Sequence, residues 1–164
     1  MRTFSSFLAL IILVAMAGMT TSCSEDSLPS QRQGKPEGMS DVEFMRKAIE
    51  DINQRPERAE EEVEVQHILI KVAGSNKKTA EEKAAEIHTK VRSGEDFAAL
   101  VDEHSEDPSK TGNKGIFTVS KARAGALVKG FENVAWRLNV NEIGVCPWHE
   151  RDSSFGYHII KRIK

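Results

Sequence analysis

The sequence predicts an α+β domain over residues 62–164, with elements in the order β-α-α-β-α-β-β. Three observations predict it. An apolar, β-branched stretch opens the region and another closes it. Between them lie segments with apolar residues at helical spacing. Glycine- and proline-containing turns separate the segments.

"VEVQHILIK", Val63–Lys71, alternates and then becomes continuously apolar, as a strand does. Thr79 with Glu82 reads as a capping box, and Ala80, Ala84, Ile87 and Val91 follow on one helical face, closed by Gly94. Phe97–His104 is a shorter helix, and "SEDPSKTGNKG" is a turn-rich loop. "IFTV" is a short strand. Gly130–Leu138 is helical, with Phe131, Val134, Ala135 and Leu138 on one face. "EIGVCPW" is an edge or bulged strand because it contains Pro147. "GYHIIKRIK" is the last strand.

The residues before the domain divide into three. Residues 1–22 read as a secretory signal: Arg2 is the only charge, and Phe7–Met19 is an apolar run too short to span a membrane. The following "TTSC" resembles a bacterial lipobox with Cys23 as the acylated residue, although Thr20 stands where such boxes carry an aliphatic residue. Several acyl chains, at about 0.8 kcal/mol per buried methylene, anchor a protein stably. Ser24 resembles an outer-membrane address, and Glu25–Asp26 resembles a surface-export tag. Residues 23–39 carry two prolines and two glycines and read as a flexible tether. In residues 40–58, Ser40 and Glu43 make a capping box, with Val42, Met45, Ile49 and Ile52 forming one apolar stripe. This amphipathic helix over 41–53 has either the domain or a partner to dock on.

The chain has 164 residues, 39% hydrophobic and 29% charged, with a formal net charge of −2. That composition excludes a membrane-embedded protein and gives no basic excess for nucleic acid. There are two cysteines. With Cys23 acylated, Cys146 has no partner within the chain.

Chemistry concentrates in two histidines. Period two puts His67 on a strand face with Val63, Val65 and Leu69. His158 lies among Tyr157, Ile159 and Ile160 in the last strand. If those strands pair, the imidazoles meet and can share a proton through a hydrogen bond. His88, His104 and His149 have polar neighbours and read as solvated. Lys71, Lys77 and Lys78 read as soluble surface and carry no expectation of phosphate specificity.

From Val63 to the C-terminus, "VQHILIK", "GEDFAALVDEHSEDPS", "GFENVAW" and "FGYHIIK" resemble the parvulin family of peptidyl-prolyl isomerases, in that family's order. The resemblance implies an FKBP-like antiparallel four-stranded sheet wrapped by helices, with the site on its concave face. It implies that His67 and His158 are the paired site histidines, with Asp107 and Ser153 beside them. Leu127 and Phe131 then hold the proline ring. Lys114 stands where the family has an apolar residue, next to the proline pocket. The segment between Phe117 and Phe131 is about five residues longer than the family's usual spacing. The implied function is Xaa-Pro isomerisation in secreted or outer-membrane proteins, needing no cofactor or metal. The implied partners are proline-containing unfolded envelope proteins and a membrane reached through Cys23, at the outer membrane facing the periplasm or exported to the surface. The rival reading is a lipid-anchored parvulin-fold holdase with little isomerase activity.

Overall fold

The first and last strands of the domain are neighbours at the centre of one sheet. The structure, a computed structural model, describes residues 34–164, so the signal segment, Cys23 and most of the tether lie outside the described residues. Strands β1 (Glu62–Lys71), β2 (Ile116–Ser120), β3 (Ile143–Cys146) and β4 (Gly156–Arg162) form an antiparallel sheet in the order β2-β1-β4-β3. Helices are α1 (Asp41–Gln54), α2 (Lys77–Arg92), α3 (Phe97–His104), α4 (Ser109–Asn113) and α5 (Lys129–Ala135), with a 3-10 turn at Lys121–Arg123.

Both sheet faces are covered, which is why β1 and β4 are apolar beyond simple alternation. Ile68, Ile70, Val145 and Ile159 face a core built with Met45, Ala84, Ile87 and Val101 from the helices. Val63, Val65 and Ile160 face a second core capped by Phe131 and Val134 of α5. Helix α5 and the turn after it come so close to β3 that a Cβ on Gly144 would sit 2.9 Å from Val134 and 3.0 Å from Leu138.

Helix α1 docks on the domain. Ser40 caps it by accepting the Glu43 amide at 3.2 Å. Met45 and Ile52 are fully buried, each contributing about 1.5–3 kcal/mol. Arg46 pairs with Glu81 at 2.7 Å, and the Thr89 hydroxyl donates to Asp41 at 2.9 Å, both tying α1 to α2.

Several elements differ from expectation, each for a local reason. Helix α2 starts at Lys77, with Asn76 at its N-cap. Thr79 therefore lies inside it and donates its hydroxyl to the Asn76 carbonyl at 2.9 Å, so there is no Thr79–Glu82 capping box. The loop after α3 contains α4, which Asp107 starts by accepting the Ser109 amide at 2.7 Å. Helix α5 ends at Ala135, short of Leu138. Strand β3 stops at Cys146, immediately before Pro147, and is an edge strand. His88 is fully buried rather than solvated, its ring centroid 5.2 Å from that of Phe44. The docking of α1 covers a helix face that composition alone reads as outer surface.

Candidate active site

The sheet register brings the two histidines together. Leu69 on β1 faces His158 on β4, and His67 lies two residues before Leu69. His67 and His158 are therefore diagonal neighbours on one face, within reach of each other's rings. Their centroids are 5.3 Å apart. Phe131 presents its ring edge-on to both, at 5.2 Å from His67 and 5.4 Å from His158. Phe117 of β2 completes the group, 5.1 Å from His67.

The expected hydrogen bond between the imidazoles is absent. All four ring nitrogens are buried without a hydrogen-bond partner among the described residues. Their diagonal placement stacks the rings at a tilt of 46° instead of pointing nitrogen at nitrogen. Unpaired buried polar atoms cost about 1–3 kcal/mol each. Both rings nevertheless stand in the wall of one cavity.

Asp107 reaches this floor because its loop takes over the edge of β1 beyond the end of β2. The Glu106 amide donates to the Leu69 carbonyl at 2.8 Å. Ser105 Oγ accepts the amides of Leu69 and Asp107 at 3.2 and 3.4 Å. One carboxylate oxygen of Asp107 holds the Ser109 amide, and the other lies 3.2 Å from His67 Nε2. That second approach is close but lacks the alignment of a hydrogen bond.

These side chains line a cavity of about 370 Å³ together with Phe117, Leu127, Phe131 and Phe155. Lys114 and Ser153 are not in its wall. Lys114 has left-handed backbone (φ 57°) at the end of α4, with an exposed side chain. Ser153 is buried and donates its hydroxyl to the Gly156 carbonyl at 3.0 Å, holding the turn before β4. Phe117 and Phe155 escaped the sequence reading. Phe117 had a usable signal, since "IFTV" places it on the same face as Val119.

Charge in the site sits on one group. Burial pushes His158 down to about 3, with His67 adding to the effect. Burial also holds His67 below its ordinary value, against the pull of Asp107. For Asp107, burial is outweighed by the Ser109 bond and His67, so the carboxyl lies below its usual range. Burial raises the Cys146 thiol to about 11, so it is no thiolate at neutral pH. At neutral pH the cavity thus offers one carboxylate, two neutral imidazoles and apolar walls, and no activated nucleophile. Among the described residues no three or more His, Cys, Asp or Glu converge as metal ligands.

Stability should respond to acid accordingly. His88 is likewise held down to about 4, by burial and then Arg92. The unfolded histidines take protons near pH 6.5. Stability is therefore full above that pH and falls as pH drops through 6.5 towards 4 and 3. The slope is roughly 1.4 kcal/mol per pH unit for each histidine that stays neutral in the fold. Urea midpoints at pH 7.5 and 5 check this, and equal midpoints would contradict it.

A family model described as a PPIC-type PPIase domain matches residues 46–163. Foldase protein PrsA 4 of Bacillus cereus is 42% identical over 99 residues, which make up 60% of this chain and 30% of that protein. The chain spans about a third of the length of the curated relatives it matches. A crystal structure of a peptidylprolyl isomerase (PrsA) from Bacillus cereus superposes with a TM-score of 0.50 at 35% identity, over 75% of this chain and 43% of that one. A peptidyl-prolyl isomerase from Candida albicans superposes with a TM-score of 0.54 over 74% of this chain and 73% of that one. At 19% identity that likeness shows the fold, an antiparallel four-stranded sheet with helices on both faces.

Proposed function

Because the chain belongs to the PPIC-type peptidyl-prolyl isomerase family, we propose that its cavity catalyses Xaa-Pro cis-trans isomerisation in unfolded polypeptides of the cell envelope, as a foldase. One observation carries this reading: an apolar cavity of about 370 Å³ whose floor holds two buried, unsatisfied imidazoles and one carboxylate.

Rotation about a peptide bond is opposed by about 18–20 kcal/mol of resonance. No covalent bond breaks, so the catalyst needs only to favour the twisted amide over both planar forms. Phe117, Leu127 and Phe131 seat the proline ring and exclude water. Resonance in the planar amide places partial negative charge on the carbonyl oxygen, and twisting returns it to nitrogen. Asp107 beside that oxygen disfavours the planar forms. A neutral imidazole N–H can donate to the nitrogen lone pair that twisting localises. Each tenfold in rate requires about 1.4 kcal/mol of such differential stabilisation. His67, His158 and Asp107 are thus proposed to act on the amide. Leu127 and Phe131 bind the ring, and Ser153 supports the site by fixing the Gly156 turn. Lys114 is exposed outside the cavity wall, and we assign it no part in ring binding.

The test is exchange between cis and trans isomers of short Xaa-Pro peptides, followed by magnetisation transfer. Acceleration that disappears when proline is replaced is expected. Binding of apolar peptides without acceleration, and irrespective of proline, would favour the holdase.

We further propose that Cys23 is acylated and tethers the domain to a bacterial membrane, with the outer membrane as its address. The support is the apolar run ending at "TTSC", followed by Ser24. Radiolabelled fatty acid should enter the wild type and not Cys23→Ala. Equal labelling of both would rule this out.

A further inference from the structure

The proline cavity adjoins a second groove of about 300 Å³, and Phe117, Ala126 and Leu127 line both. The second groove runs along the whole of β2, Ile116 to Ser120. Strand β2 is an edge of the sheet. The His67 amide donates to the Gly115 carbonyl, and the Lys121 amide donates to the Glu61 carbonyl. In an antiparallel ladder, that parity turns the backbone groups of Phe117 and Val119 towards β1. It leaves those of Ile116, Thr118 and Ser120 on the open side. There, the Ile116 carbonyl accepts Asn113 Nδ2 at 2.6 Å. The Thr118 amide and carbonyl have no backbone partner among the described residues. Arg123 and Glu132 both line the same groove, with Glu132 accepting the amides of Gly125 and Leu127.

We infer that the free edge of β2 is a second subsite, which takes the extended backbone flanking the substrate proline as an added strand. The inference rests on the isomerase reading of the adjoining cavity. The occupant is the substrate polypeptide itself, because the groove lies on the far side of Phe117 and Leu127, the residues that bound the proline cavity, within the reach of the residues flanking a seated proline. The residue before a proline is already biased to extended backbone, so it needs little reordering to pair. Main-chain pairing is independent of side chains, which suits unfolded chains of varied sequence.

The experiment measures kcat/KM for a proline tetrapeptide and for peptides lengthened by up to three residues on either side. Lengthening on one side is expected to raise kcat/KM roughly tenfold, the gain that one or two net hydrogen bonds supply. Thr118→Pro removes an outward N–H from an edge strand without breaking the ladder to β1. It should cut the gain to under twofold. Should that variant not fold, N-methylation of alternate amides in the added segment, on the wild type, makes the same test. A flat length dependence with the tetrapeptide still turned over would overturn this inference alone. So would a gain that survives both Thr118→Pro and N-methylation. A dimer in sedimentation that Thr118→Pro abolishes would instead assign the edge to self-pairing. Turnover of no proline peptide would remove the isomerase reading and this inference with it.

Discussion

Gly156→Ala is expected to prevent the domain from folding. Gly156 opens β4 opposite Lys71 at the centre of the sheet. A Cβ there would lie 2.0 Å from the Ile70 carbonyl oxygen and 2.8 Å from both the Ile70 carbonyl carbon and Lys71 Cα. All three are backbone atoms, so no rotamer change relieves the overlap. The strands must separate, and separating them removes the pairing that holds His158 beside His67. The cost should exceed about 4 kcal/mol, a large share of the roughly 5–15 kcal/mol of a typical domain. Gly112→Ala is the control, because its Cβ would meet nothing within 4 Å and it lies in α4. Urea unfolding followed by circular dichroism distinguishes them. A Gly156→Ala midpoint equal to that of the wild type would show that the sheet tolerates the overlap.

Asp107→Asn should lower isomerisation per folded molecule at least tenfold while leaving stability nearly unchanged. The amide oxygen can still accept the Ser109 N–H that starts α4. The charge facing His67 and the bound amide is lost. His158→Ala should lower the rate at least as far and also destabilise the domain by roughly 1–3 kcal/mol. Its ring packs against His67 and Phe131, so truncation leaves a void. Part of that loss is offset, because both nitrogens of His158 are unpaired in the fold. Exchange rates and unfolding curves on the same samples separate the two effects. Full activity per folded molecule in both variants would leave a proline-binding or holdase domain as the better account.

The strands and the histidine pair were legible because they depend on short patterns. Alternation places His67 and Val65 on one face, and β-branched residues mark β1 and β4 as strands. That the two strands pair was inferred, and the register shows it. What was not legible depends on where single side chains are spent. Ser153 looks available until the Gly156 carbonyl is seen to take its hydroxyl. Lys114 neighbours the site in sequence, yet its left-handed backbone belongs to the turn out of α4. Asn76 displaces Thr79 as the helix start while its own carboxamide accepts the Ala73 amide at 2.8 Å. The imidazoles meet as expected, but the angle between two side chains on a diagonal is beyond sequence periodicity.

The central pairing of β1 with β4 also sets when the domain can form. The partners Leu69 and His158 stand at nearly opposite ends of the domain sequence. A growing chain that has emitted β1, α2, α3, β2 and α5 still lacks the strand joining β1 to β3. Closing so long a loop before any central contact forms is entropically slow. The sheet therefore cannot assemble until β4 has emerged, and the preceding segments stay without their central partner until then. Until β4 emerges, the apolar faces of β1 and β2 have no sheet to complete, so a chaperone that holds the chain open acts on this domain right up to the release of its last strand.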